Sequence, residues 1–97
     1  MVTIYKYPIN LSLTGLAFQS FRGAEIISCG LDGEKEPCIW AKVDTSQPSE
    51  NLVVYCVGTG WDIEQLLINK NLKFIGTVTD GSMVIHIFQE VTWKSLE

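Results

Sequence analysis

The chain has 97 residues, 46% of them hydrophobic, and a formal net charge of −4, with a pI near 4.8. That length is one domain, and no apolar run reaches the roughly 18 residues that span a bilayer. The seven Lys and Arg are scattered, so the basic stripe that neutralises phosphates is missing and neither nucleic acid nor an anionic membrane surface is an expected partner.

The segment Met1 to Pro8 has no charged stretch followed by a long apolar core, so no signal peptide is expected. Thr3 to Tyr7 predicts a first strand, which Pro8 ends or places at an edge because proline cannot donate to a ladder. Asn10 to Gly15 reads as a polar connection. Leu16, Phe18 and Phe21 mark a weaker strand over 16–21, Arg22-Gly23 turns the chain, and Ala24 to Cys29 is the next strand. Gly30 to Pro37 is a loop whose Asp32-Gly33 pair signals a hairpin. A strand over 38–44 follows, then Thr45 to Asn51, the most polar stretch, read as a hairpin tip. The strand over 52–57 returns from it.

Gly58-Thr59-Gly60-Trp61 precedes the one clear helix signal. Asp62 suits an N-cap with Gln65 three residues on, as in a capping box. Ile63, Leu66 and Leu67 give the i, i+3, i+4 spacing of one apolar face, about two turns long. Asn69-Lys70-Asn71 stops it. Strands over 72–79 and 83–88 follow, joined by Asp80-Gly81, a second hairpin signal. Short polar turns between strands imply antiparallel pairing. The expected fold is mainly β, a small antiparallel β-barrel or sandwich of about six strands with one short helix, forming a single domain over 1–97. Leu96-Glu97 has the form of a vector-derived pair preceding a purification tag and carries no functional argument.

Two strands are apolar on both faces. Leu52, Val54 and Cys56 alternate with Val53, Tyr55 and Val57, and Met83, Ile85 and Ile87 alternate with Val84, His86 and Phe88. A sheet with one wet face alternates apolar with polar instead. The second face therefore needs a cover: the helix, a second sheet, or another copy of the chain. A chain this short has little material for a second layer, so a symmetric dimer is expected, with closure into a barrel as the internal alternative.

The cysteines are three, Cys29, Cys38 and Cys56. An odd number without a signal peptide fits a reducing, cytoplasmic compartment and free thiols. Cys29, Cys38, Cys56 and His86 are formally a Cys3His zinc set, but the close Cys pairs of structural zinc sites are missing. No metal or cofactor is expected.

Five ordered motifs carry a resemblance: Tyr5-Lys6-Tyr7-Pro8, Cys38-Ile39-Trp40-Ala41-Lys42-Val43-Asp44, Val57-Gly58-Thr59-Gly60, Phe74-Ile75-Gly76-Thr77-Val78 and Val84-Ile85-His86-Ile87-Phe88. In this combination the chain resembles a family of small, functionally uncharacterised proteins of phages and prophage-bearing bacteria. It departs from that pattern over 61–71, where its helix signal is longer. The resemblance implies a phage or prophage origin and a bacterial host cytoplasm. It implies no activity.

No catalytic constellation is visible, and the catalytic set is empty. Gly58-Thr59-Gly60 lies between a strand and a helix start, where backbone amides can hold an anion. Yet the Lys-Ser/Thr of a P-loop is missing, and a tight turn using glycine at positive φ is the simpler reading. His86 sits mid-strand between two isoleucines; a buried neutral imidazole satisfied by one or two partners accounts for it, and Cys56–His86 is the one pair that could imitate a Cys/His nucleophile. Trp40 either fills the core or lines a pocket, and Trp61, in a turn, suits a surface or interface. Asp32, Glu34 and Glu36 fit a solvated loop without the EF-hand frame. Trp40, Gly58, Thr59, Gly60, Trp61 and His86 are thus the candidate ligand-binding residues. The leading reading is a non-enzymatic phage or prophage accessory protein that binds a host protein or assembles with itself. A small-molecule binder, nucleotides included, is the alternative, and a small hydrolase using His86 with Cys56 or an acid is the third.

Overall fold

Seven runs of β-branched and aromatic residues bounded by turn formers become seven strands in a computed structural model describing residues 1–12 and 14–91. They are β1 (Val2–Pro8), β2 (Gly15–Phe21), β3 (Glu25–Leu31), β4 (Pro37–Asp44), β5 (Ser49–Gly58), β6 (Leu72–Asp80) and β7 (Met83–Glu90), with α1 (Glu64–Asn69) between β5 and β6. All seven segments expected as strands are strands, one more than the expected total of about six. They form a three-stranded sheet in the order β1-β4-β3 and a four-stranded sheet in the order β2-β5-β7-β6, with every pairing antiparallel. The architecture is a sandwich. Among the described residues no ladder joins the two sheets into a closed barrel.

The pleat decides what is inside. Ile39, Ala41 and Val43 of β4 face Leu52, Val54 and Cys56 of β5 and Ile85 and Ile87 of β7 across the core. Each fully buried aliphatic side chain contributes roughly 1.5–3 kcal/mol relative to exposure. The second layer is thus the chain's own other sheet. Burial of the inner faces of 52–57 and 83–88 does not need a second copy.

Two hairpins hold where the turn chemistry indicates. In β6–β7, Asp80 pairs with Met83 around Gly81, whose φ is +63°, the glycine-first form of a two-residue turn. In β3–β4 the loop is longer: Asp32 accepts the N–H groups of Glu34 and Glu36 at 2.8 and 3.0 Å, and Lys35, not Gly33, takes the positive φ of 63°.

Three other connections differ from expectation. Residues 45–48 form no hairpin tip, because they carry the chain from the β4 sheet to the β5 sheet, where β5 pairs with β2 and β7. Turn chemistry marks where a strand stops but not which strand comes next in space. Asn10 to Gly15 is not wholly polar in role, since Leu11, with Ile9 just before it, enters the core. The helix begins at Glu64 with Ile63 as its N-cap residue and no side-chain cap. Asp62 accepts the Glu64 N–H at 3.0 Å from one position earlier. Ile63 and Leu66 are half-buried, while Leu67 is 52% exposed, so the apolar face is narrower than its spacing suggests.

The sheets meet at two seams. At one, Tyr7 of β1 donates its hydroxyl to Ser20 of β2 at 2.8 Å and packs on Phe18. At the other, edge strands β3 and β6 approach each other, each carrying a β-bulge, at 26–28 and 74–76. A Cβ on Gly76 would stand 2.8 Å from the Cys29 sulfur, so the bare backbone there lets the thiol in.

Candidate functional site

The outer face of the four-stranded sheet holds the site. β5 and β6 lie on either side of β7, so the link between them, residues 59–71, must pass β7 to reach the far edge. It opens with a tight turn in which the Trp61 N–H donates to the Gly58 carbonyl at 3.2 Å and Gly60 has φ +84°, a conformation that favours glycine. A Cβ on Gly58 would lie 2.8 Å from the Trp61 indole. The indole is therefore folded back against the end of β5.

His86 stands on β7 opposite Val57 of β5 and Thr77 of β6. Its Nε2 lies 2.7 Å from the Thr59 hydroxyl and its Nδ1 lies 2.9 Å from the Thr77 hydroxyl. In the neutral ring one nitrogen donates to one hydroxyl and the other accepts from the second. Both nitrogens are thereby engaged, and no carboxylate orients the ring. A general base needs a nitrogen directed at a reacting group, and this arrangement fixes the imidazole as a strut between the turn, β7 and β6.

Beside it, Phe74 and Phe88 pack edge to face with centroids 5.4 Å apart. Together with Val57, Trp61, Ile63 and His86 they line an open recess of about 250 Å³. Trp61 is 54% exposed and Phe74 56%. Among the described residues no Lys or Arg lines the recess. Next along the same strands, Tyr55, the cross-strand partner of Phe88, donates its hydroxyl to Glu90 at 3.0 Å, and Lys70 lies 3.5 Å from the same carboxylate oxygen. Burial, followed by this carboxylate, pushes the Tyr55 phenol up.

Of the six sequence candidates, the structure brings together Gly58, Thr59, Gly60, Trp61 and His86. Trp40 is elsewhere, and it does not fill the core. Its register with Lys6 and Ser28 places it on the outer face of the three-stranded sheet, while Ile39 and Ala41 take the inner face. Thr77, Ile63, Phe74 and Phe88 complete the site. Thr77 was within reach of sequence reasoning, since a two-residue turn after Asp80 sets 77 opposite 86. The Phe74–Phe88 pairing was not, because the bulge shifts the register by one.

The Cys56–His86 pair is not assembled. Cys56 lies opposite Ile87 and faces the core, while His86 faces outward. All three cysteines are free. Burial, and then the neighbouring Cys29, pushes the Cys56 thiol up to about 11, and burial raises Cys29 and Cys38 as well. Such thiols are poor nucleophiles and ligands at neutral pH. Among the described residues no three His, Cys, Asp or Glu side chains gather where they could hold a metal. No helix among them is long and apolar enough to cross a membrane. The reading of Leu96-Glu97 lies outside the described residues.

A larger cleft of about 620 Å³ opens between Phe21, Gly23–Glu25, Glu50–Val53, Leu72, Lys73 and Gln89–Val91. None of the sequence-predicted residues lines it.

Fold and site together define a small two-sheet antiparallel β domain with an aromatic recess on the outer face of its larger sheet. Over residues 1–95 the chain matches the family model described as Domain of unknown function (DUF7352), and it belongs to that family. Neither a curated protein nor a solved structure matches it.

Proposed function

We propose that this is a non-enzymatic binding protein, an accessory protein of a phage or prophage working in the bacterial host cytoplasm, and that it acts through protein–protein contact at the outer face of the β5–β7–β6 sheet. The motif resemblance supports the origin. One observation carries the contact reading: Trp61 and Phe74, both more than half exposed, share one recess whose shape is set by the Gly58 turn and the threonine-held His86. Aromatic side chains at a preformed concavity are the usual anchors of protein interfaces. The recess is smaller than the roughly 300–1,000 Å³ of small-molecule pockets, which favours a docked side chain over a nucleotide. With both His86 nitrogens held by threonines, hydrolysis has the least support.

Affinity capture from the bacterial host tests the reading. A partner retained by the wild-type protein and by Trp40→Ala, but lost with Trp61→Ala and with Phe74→Ala, supports it. Capture indifferent to Trp61 and Phe74 rejects it. Self-association, the second form of contact, is read by sedimentation equilibrium at micromolar concentration: a dimer that Trp61→Ala dissociates places the contact on this face.

A further inference from the structure

We infer that the recess beside Trp61 receives an apolar side chain from a basic segment of a partner protein, whose flanking lysines or arginines face Asp62 and Glu64. The inference rests on the contact reading above and adds the partner's chemistry to it.

Next to the recess-lining Trp61 and Ile63 the charges are acidic, and Lys73, beside Phe74 in sequence, lines the larger cleft instead. Asp62 lies in sequence between Trp61 and Ile63, both of which line the recess, and Glu64 follows. The Asp62 side chain accepts the Glu64 N–H at 3.0 Å, which holds the acidic corner in place. Among the described residues neither carboxylate forms an ion pair, whereas Lys70, on the same link, is engaged by Glu90 at 3.5 Å. Both acids also stand near the helix start, where negative charge is favoured. The recess next to them is the separate observation. An apolar cup with acidic residues beside it and, among the described residues, no cation in its lining complements an apolar anchor carried between cations. The net charge of −4 adds long-range steering of a basic partner.

The same charges disfavour a second copy as occupant. A two-fold contact places identical patches against each other, so Asp62 and Glu64 of one copy would approach those of the other. Further along the same link, Leu67 and Ile68 of α1 are also exposed, at 52% and 66%. The turn, the Gly58–Trp61 contact and the His86 strut preform the cup, so little ordering cost falls on binding.

The test uses two blocked peptides, one with Phe between pairs of lysines and one with Phe between pairs of glutamates, titrated into the full chain at low salt and followed by two-dimensional ¹⁵N NMR. The lysine peptide is expected to shift the Trp61 indole N–H and the Gly58, Thr59 and His86 amides saturably. The glutamate peptide should leave them in place at the same concentration. The double variant Asp62→Asn, Glu64→Gln should weaken the lysine peptide about fivefold to tenfold. Trp61→Ala should abolish the response, with the remaining spectrum showing an intact fold. Equal shifts from both peptides overturn the charge inference and leave the contact reading standing. Shifts from neither overturn the inference, while the capture experiment continues to judge the contact reading. Shifts at these residues on concentrating the protein alone put a second copy in the recess and overturn the basic partner.

Discussion

The indole of Trp61 occupies the place where a side chain on Gly58 would begin: a Cβ there would lie 2.8 Å from Cε2 and Nε1 and 3.2 Å from Cζ2. Gly58 does not need left-handed backbone, so the demand for glycine is one of space. Gly58→Ala is expected to keep the fold, swing the indole off the sheet and cost about 1–3 kcal/mol, the usual range for overpacking. An altered Trp61 indole N–H resonance with a lowered urea midpoint is the expected pair of results. An unmoved indole signal would show that the contact yields without cost.

The strut through His86 makes a separate prediction. Thr77→Val removes a hydroxyl and little volume, leaving the Nδ1 without its partner at 2.9 Å. The expected loss is about 0.5–1.5 kcal/mol. In a double-mutant cycle with His86→Phe, the threonine substitution should cost much less once the imidazole is gone. Additive effects in chemical denaturation would mean that the two side chains do not work together.

The seam between β3 and β6 rests on Gly76 and Cys29. Gly76→Ala would put a methyl group 2.8 Å from the sulfur, and about 1–3 kcal/mol of destabilisation is expected. Cys29→Ala should recover much of that loss, because it removes the atom in the way. A double variant as unstable as the sum of the two single variants would reject this steric account.

Acid stability has a named contributor. Asp32 is held down to about 2 by backbone N–H donation from Glu36 first, then by Lys6 and the Glu34 N–H, with the Lys6 ammonium 2.9 Å away. Its folded value is below its ordinary value of 3.8. The contribution is therefore fully present above about pH 4 and is lost as pH falls through about 2. Asp32→Asn should lower the urea midpoint near pH 5, and the gap to wild type should shrink progressively toward about pH 2. A constant gap would contradict the linkage.

At the alkaline end the cysteines reverse the sign. The Cys56 thiol has an ordinary value of 9.0 and is raised to about 11 in the fold, so the unfolded chain loses this proton first. Stability should fall as pH rises from about 9 to about 11, and Cys56→Ala should flatten that decline. In the same range a thiol reagent should modify Cys56 only through unfolding, because the neutral thiol is the weak nucleophile. Rapid native labelling at pH 8 would overturn this.

Local residue chemistry determined the strand segments, the helix after Gly60, both hairpins and the cluster from Gly58 to Trp61. β-branched runs, capping side chains and Asp-Gly pairs act within a few residues, so their signals are readable in a one-dimensional string. That Thr77 faces His86 depends on the turn being Gly81-Ser82, with Asp80 paired to Met83; a turn at Asp80-Gly81, the pair the local signal marks, sets Thr77 opposite Val84 instead. Strand order belonged to tertiary structure. A period of two shows that 52–57 has two apolar faces but not which one meets a partner sheet, and a polar stretch such as 45–48 looks the same whether it turns within a sheet or crosses between sheets. Trp40 and Ile39 are neighbours of similar hydrophobicity, and only the register of β4 against β1 and β3 placed one outside and the other in the core. The recess needed more still: a one-residue bulge at 74–76 to bring Phe74 opposite Phe88, and a link forced past β7 because β5 and β6 are not neighbours. Both are consequences of packing between residues far apart in the chain, which no local pattern encodes.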